Sequence, residues 1–264
     1  MTKKISQQVV IELIKKTSHL GKAELDLSDK GLEKLPAEIG ELENLTKLDL
    51  SNNLLKTLPS EFTQLTKLES LDISRNTFSK KIPDEILLLP NLKTLVISHN
   101  DISTLPTEIS QLKNLRHLDV NCNHIKTIPS TINKLIYLEE LDLGNNPIRI
   151  LPASIGDLHN LQVLMTGITV TPWDERLTLL PDTIEKLENL KILNLRGQGL
   201  KEIPKGVKSF VNLERLDVSA NRITKLPSEI GNLANLRDLD LSYNYINQLP
   251  KEISLLSNLR TLNI

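Results

Sequence analysis

The sequence is short of the residues from which most functional sites are built. Its 264 residues hold one cysteine, Cys122, so no disulfide can form within the chain, which fits a reducing compartment. Aromatic residues make up 3%, with a single tryptophan, Trp173, too few for base-stacking platforms. Charge has no dominant sign: 32 Lys and Arg face 33 Asp and Glu, for a formal net charge of -1. That balance argues against a strong non-specific grip on nucleic acid or on an acidic membrane. No run approaches the roughly 18 apolar residues of a membrane span. The opening MTKKISQQVVIELIKK has basic residues but no unbroken apolar stretch and no small-residue cleavage site, so it does not read as a signal peptide. A soluble, cytoplasmic protein is expected. P-loop, GxGxxG, HExxH and GxSxG patterns are missing as well.

What the sequence has instead is a period. Ten of the thirteen prolines fall at 36, 59, 83, 106, 129, 152, 181, 204, 227 and 250, at intervals of 23, 24, 23, 23, 23, 29, 23, 23 and 23. The stretch Leu45 to Lys67 shows the repeating phrase. Leu45, Leu48, Leu50, Asn53 and Leu55 give LxxLxLxxNxL, and then come Leu58-Pro59, Phe62 and Leu65. Self-similarity at a fixed period of this length signals stacked supersecondary units. The length accommodates about eleven of them, the last incomplete.

The phrase LPxEIGxLxNLxxLDLSxNxL, present from Leu35 to Leu55 and again from Leu226 to Ile246, resembles the intracellular leucine-rich repeat proteins with 23-residue units. The resemblance covers nearly the whole chain. It implies an α/β fold: a right-handed solenoid in a horseshoe arc, with parallel strands on the concave face and short helical turns on the convex face. Secreted members usually close their ends with paired cysteines, which this chain lacks. The segment Ala23 to Pro36, AELDLSDKGLEKLP, is similar to the start of repeat segments in bacterial Roco-type GTPases.

Within a unit we count places from the first strand leucine. Apolar residues at the first, fourth, sixth and eleventh places point inward, and Asn at the ninth satisfies buried backbone at an inward turn. Lys30 and Gln198 stand where Asn is expected, so the asparagine ladder should be imperfect there. Pro opens the helical turn that returns the chain to the next parallel strand. Residues 1–21 are expected to form a capping helix, with Ile5, Val9 and Leu13 on its apolar face, Val10 and Ile14 beside them, and Gly21 ending it. Residues 22–264 form the repeat domain, with a one-residue insertion at Lys80-Lys81 and a larger one at 166–180 that carries Trp173. The sequence stops within an eleventh strand, which suggests part of a longer protein.

The third, fifth, seventh and eighth places should be exposed along the strands and should align as rows. The fifth-place row reads Asp26, Asp49, Asp72, Val96, Asp119, Asp142, Met165, Asn194, Asp217, Asp240, Asn263. Such aspartates are ordinary in this family and are expected to be solvated, balanced by Lys47, Arg116, Arg215 and Arg237. Departures from the monotonous choices mark the candidate partner-binding residues: Arg75, Val96, His99, His117, Val163, Met165, Ile192, Arg196 and Tyr243, with Trp173 at the rim. Val163, Met165 and Ile192 should form a small apolar patch, which Trp173 either joins or covers. Cys122 and His99 share the eighth place in adjacent units, but nothing orients the imidazole and no zinc set is completed. The expected function is non-catalytic binding of a protein on the concave face, in signalling or scaffolding. No cofactor, metal, nucleic acid, membrane or small-molecule substrate is expected. The resemblance makes a Ras-like GTPase one candidate partner. It also offers an alternative: the recognition arm of a larger signalling enzyme, a Roco-type GTPase or a repeat-bearing kinase.

Overall fold

The computed structural model of the chain describes residues 5–169 and 176–264. They fall into two compact units, Met1–His124 and Ile125–Ile264, each built from the same module.

In the first unit the strands, in chain order, are β1 (Glu24–Asp26), β2 (Lys47–Asp49), β3 (Ser70–Asp72), β4 (Ser79–Lys81), β5 (Thr94–Val96), β6 (Asp101–Thr104) and β7 (His117–Asp119). Strands β1, β2, β3, β5 and β7 lie side by side and parallel, and every pair matches third, fourth and fifth places with their counterparts. The alternation of a strand explains the pattern: the fourth-place Leu48, Leu71, Leu95 and Leu118 are buried, while their neighbours face outward. The extra residue near Lys80 is absorbed locally. Lys80 takes a φ of +69°, and β4 pairs with β6 with a register shift between Lys80 and Lys81.

The second unit has β8 (Glu140–Asp142), β9 (Val163–Met165), β10 (Ile192–Asn194), β11 (Arg215–Asp217), β12 (Asp238–Asp240) and β13 (Thr261–Asn263). All are parallel and in the same register. The six residues added at 166–180 therefore leave β9 and β10 in step, with Leu164 opposite Leu193.

Each of the ten periodic prolines stands one residue before its helical turn rather than inside it, and all but Pro83 are in an extended conformation. Pro36 has φ -73° and ψ 153°, and its carbonyl accepts from the Ile39 N–H. The turns are five-residue 3-10 segments, such as Ala37–Glu41 and Ser228–Asn232, except for a short α-turn at Asp84–Leu87. The tighter winding suits pieces this short. Inside, the three phenylalanines, Phe62, Phe78 and Phe210, are fully buried.

The N-terminal helix α1 (Gln7–His19) packs on the turn Ala37–Glu41. Ser6 caps its start by accepting from the Val9 N–H. At its end Gly21, with φ +57°, donates to the Ser18 carbonyl, and Lys22 donates to Thr17, which together satisfy the last carbonyls. The buried stripe is Val10, Ile14 and Thr17. This corrects the expected face: Val9 and Leu13 are exposed. Two neighbouring apolar stripes run along this helix, and periodicity alone does not say which one docks.

The ninth-place asparagines are the interior scaffold. In the first unit, Asn53 Oδ1 accepts from Lys30 N (3.1 Å) and Leu32 N (2.9 Å), and its Nδ2 donates to the carbonyls of Leu27 and Leu50 (both 2.9 Å). Asn76, Asn100 and Asn123 repeat the pattern one unit on each time. In the second unit, Asn221 does the same for Leu200, Leu195 and Val218. The expected gap at Gln198 is absent. Its longer side chain reaches the Thr166 carbonyl and accepts from Leu177 N at 2.9 Å, so it carries the ladder across the insertion. A second, exposed ladder was not foreseen: Asn91, Asn114, Asn160, Asn189, Asn212, Asn235 and Asn258 each donate to a carbonyl of the preceding repeat.

The strand is shorter than expected. It ends at the fifth place, and the eighth place is a left-handed turn residue. Asp29, Asn52, Arg75, His99, Cys122, Asn145, Ala220 and Tyr243 all have φ between +50° and +57°. Gly197 occupies this place at φ +69°, where a Cβ would also lie 2.1 Å from the Ile168 carbonyl oxygen. Asn, Asp and Gly tolerate this conformation, whereas longer side chains are strained in it.

Three outcomes follow for stability. Asn221→Ala leaves several buried backbone groups without partners and should lower unfolding free energy by about 2–4 kcal/mol in denaturant titration. Asn258→Ala, in the exposed ladder, should cost about 0.5 kcal/mol or less. Tyr243→Asn, at an exposed left-handed position, should raise stability by about 0.5–1 kcal/mol in the same measurement.

Candidate functional site

The fifth-place aspartates have a local task. Oδ1 of each accepts from the N–H two residues on: Asp49 from Ser51, Asp72 from Ser74, Asp119 from Asn121 and, in the second unit, Asp142 from Gly144, Asp217 from Ser219 and Asp240 from Ser242, at 2.8–3.0 Å. The carboxylate so turns the chain out of the strand and toward the left-handed eighth place. Asn194 does the same for Arg196 with its side-chain oxygen (2.9 Å). Val96 and Met165 replace this group with an apolar side chain. The expected balance by Arg215 and Arg237 also runs elsewhere: Arg215 pairs with Asp238 (3.6 Å) and Arg237 with Glu214 (2.9 Å), both off this row.

The first unit holds four of the expected binding residues. Val96 is half-buried between Asp72 and Asp119 in register, and half-buried His117 lies opposite Thr94. Arg75 and His99 are exposed at left-handed positions, with Arg75 Nη2 3.5 Å from His99 Nε2. The stacking of eighth places thus holds for Arg75 and His99. Cys122 is half-buried at the same place in the next repeat. Among the described residues no three His, Cys, Asp or Glu side chains gather as a metal set.

The second unit holds the apolar patch. Val163 and Ile192 are direct partners across β9 and β10, Met165 stands between Asp142 and Asn194, and all three are half-buried. Arg196 is half-buried too; its Nη1 donates to Ser219 Oγ at 2.9 Å, so part of its guanidinium serves the fold. Tyr243 is 79% exposed. Trp173 lies outside the described residues. Beside the patch runs an open groove of about 460 Å³, lined by Lys191, Ile192, Glu214, Arg215, Arg237, Asp238, Arg260 and Thr261. Most of this groove escaped the sequence reading. The sequence signal is the basic second places Lys191, Arg237 and Arg260, a row outside the third, fifth, seventh and eighth places expected to be exposed.

Two carboxyls of the row show what surrounds them. Burial pushes Asp72 up from the usual carboxylate value, with hydrogen bonds from Ser74 opposing, and the charges of Asp49 and Asp119 pushing the same way as burial. At Asp240 burial also pushes upward, but hydrogen bonds from Ser242 and the Asn263 side chain, with the nearby Arg196, hold it below the usual value. A raised folded value means that the stability Asp72 contributes is present below the ordinary carboxylate range and is lost as pH rises through the raised value. Asp72→Asn keeps an oxygen for Ser74. It should therefore stabilise the protein at pH 7, with the gain vanishing near pH 3, in thermal unfolding followed across pH.

Comparison with known proteins places this architecture. A leucine-rich repeat region family matches residues 3–122 and 173–264, and a leucine-rich repeat family matches residues 113–165. Among solved structures, a leucine-rich repeat protein of Leptospira interrogans is 34% identical, with 95% of this chain and 74% of that one aligned at a TM-score of 0.63. A TDR receptor is 30% identical over 95% of this chain, at a TM-score of 0.79, and the aligned part is 44% of that receptor chain. The Arabidopsis receptor kinase HAESA, solved with the peptide hormone IDA and the co-receptor SERK1, is 27% identical over 92% of this chain and 46% of its own, at a TM-score of 0.77. No curated protein matches the sequence. Among the described residues no helix is long and apolar enough to cross a membrane. With the 23-residue register, the asparagine ladder and the family match all in agreement, the chain belongs to the leucine-rich repeat family.

Proposed function

We infer that this protein is a non-catalytic interaction module that holds a protein partner on its exposed strand face, in cytoplasmic signalling or scaffolding. The observation that carries the reading is the pairing of Val163 with Ile192, beside Met165, where the other third- and fifth-place residues of the second unit are polar. Solvated apolar side chains aligned across two rigid strands gain free energy when a partner covers them. Methionine adapts to irregular contours, and Arg196 at the border can add polar contacts. The aspartate row supports binding over acid-base work, because its oxygens are engaged in turning the chain. The lone Cys122 supports a reducing compartment. HAESA, a similar structure, was solved with a peptide hormone, which lends the reading a precedent for extended protein ligands.

The test is affinity capture with quantitative proteomics. Wild type is compared with the double variant Ile192→Asp, Met165→Asp and with Lys251→Glu in the turn Lys251–Leu255. The patch variant should lose a defined partner by at least about tenfold, as truncation at an interface centre does, while Lys251→Glu keeps it. If the charged variant unfolds, Ile192→Ser with Met165→Ser replaces it. Equal capture by folded wild type and patch variant sinks the reading.

A further inference from the structure

The groove beside the patch has a charge pattern that selects a ligand. Four cationic side chains, Lys191, Arg215, Arg237 and Arg260, face two carboxylates, Glu214 and Asp238. The inner four are spent on one another, as Arg237–Glu214 (2.9 Å) and Arg215–Asp238 (3.6 Å). Among the described residues no ion pair engages Lys191 or Arg260, so two unneutralised cations remain, one at each end of the groove. They precede β10 and β13 at the same place of their repeats. Three strand spacings therefore separate them, roughly 14 Å at about 4.8 Å each. An extended peptide covers that distance in four residues at about 3.4 Å per residue. The Lys191 end adjoins Ile192, which pairs with Val163.

We propose that this groove binds an extended acidic peptide segment whose two carboxylates lie four residues apart, with an apolar residue next to the one that meets Lys191. The segment crosses β10 to β13, its acids on Lys191 and Arg260, its apolar side chain on the Val163, Met165 and Ile192 patch. This rests on the protein-binding reading above and names the chemistry of the partner. Spacing gives specificity, because the paired residues between the two cations offer no net attraction to a misplaced carboxylate. The near absence of aromatics on this face removes the stacking that a single-stranded nucleic acid would need.

The test is fluorescence anisotropy with labelled synthetic peptides. The probe carries Leu-Glu, three neutral residues and a second Glu; the controls space the two Glu two or six residues apart, or replace both with Lys. The four-residue spacing should bind several-fold more tightly than either other spacing, and its affinity should fall as salt rises from 50 to 500 mM. Lys191→Glu with Arg260→Glu, both at exposed positions, should weaken it about tenfold, with circular dichroism checking that the fold is unchanged. Equal affinity at all spacings, unchanged binding by the charge-reversed variant, or full competition by a single-stranded oligonucleotide overturns the proposal. If the peptide fails while the Ile192, Met165 variant still loses its captured partner, the acidic segment falls and the strand-face reading stands. If that capture is also unaffected, both fall.

Discussion

The structure depends on one repeated hydrogen-bonding arrangement: a buried side-chain amide that serves the backbone of two repeats at once. Where the chain leaves the strand it turns inward, and several of its buried N–H and C=O groups meet that amide rather than another backbone group. Asn53, Asn76, Asn100 and Asn123 in the first unit, and Asn221 in the second, donate to carbonyls of their own and the preceding repeat and accept from an N–H of the preceding one. A side-chain amide puts two donor hydrogens and an acceptor oxygen in one planar, uncharged group. Because each rung spans two repeats, the stacking distance is set by the amide as much as by the leucines. Gln198 shows the constraint by its exception. Where six residues interrupt the period, the amide persists and only its tether lengthens.

The same arrangement dictates where function can be placed. The fourth, sixth, ninth and eleventh places are committed to the core and the ladder. The fifth-place carboxylate directs the turn, which leaves the second, third and eighth places as the rows free to vary. Of these, the eighth lies in the left-handed region and disfavours side chains other than Asn, Asp or Gly. Arg75, His99 and Tyr243 are therefore exceptions that the fold does not ask for. Strain alone is no proof of use: Ala220 adopts the same conformation and offers no group for recognition. What distinguishes Arg75 and Tyr243 is a long side chain exposed over the turn.

The period made the fold legible in the sequence. Prolines at intervals of 23 set the register, and the register set which leucines met, so the pairing of Leu164 with Leu193 across the insertion followed from counting. Three matters were hidden because they depend on backbone geometry within a repeat. The strand stops at the fifth place, so rows expected to be strand surface belong to a turn. The aspartate row looked like solvated charge, yet its oxygens accept from backbone two residues on, a contact too local to leave a trace in repeat spacing. On α1 the apolar stripes of Val9, Leu13 and of Val10, Ile14 were equally periodic, and only packing chose between them.

The site was half legible for a related reason. Sequence departures found Val163, Met165 and Ile192 because they break a monotonous row, and the register then placed Val163 and Ile192 in contact. The groove of Lys191 and Arg260 breaks nothing: charged residues at second places are commonplace in this chain. What makes it distinctive is which charges remain after pairing, a property of distances between repeats. Arg237 looks equivalent to Lys191 and Arg260 in sequence, yet it is neutralised by Glu214 while those two are not. In a solenoid the fold is thus written in what repeats and an apolar anchor in what deviates. Charge selectivity is written in neither, because it arises from how neighbouring repeats divide their ion pairs.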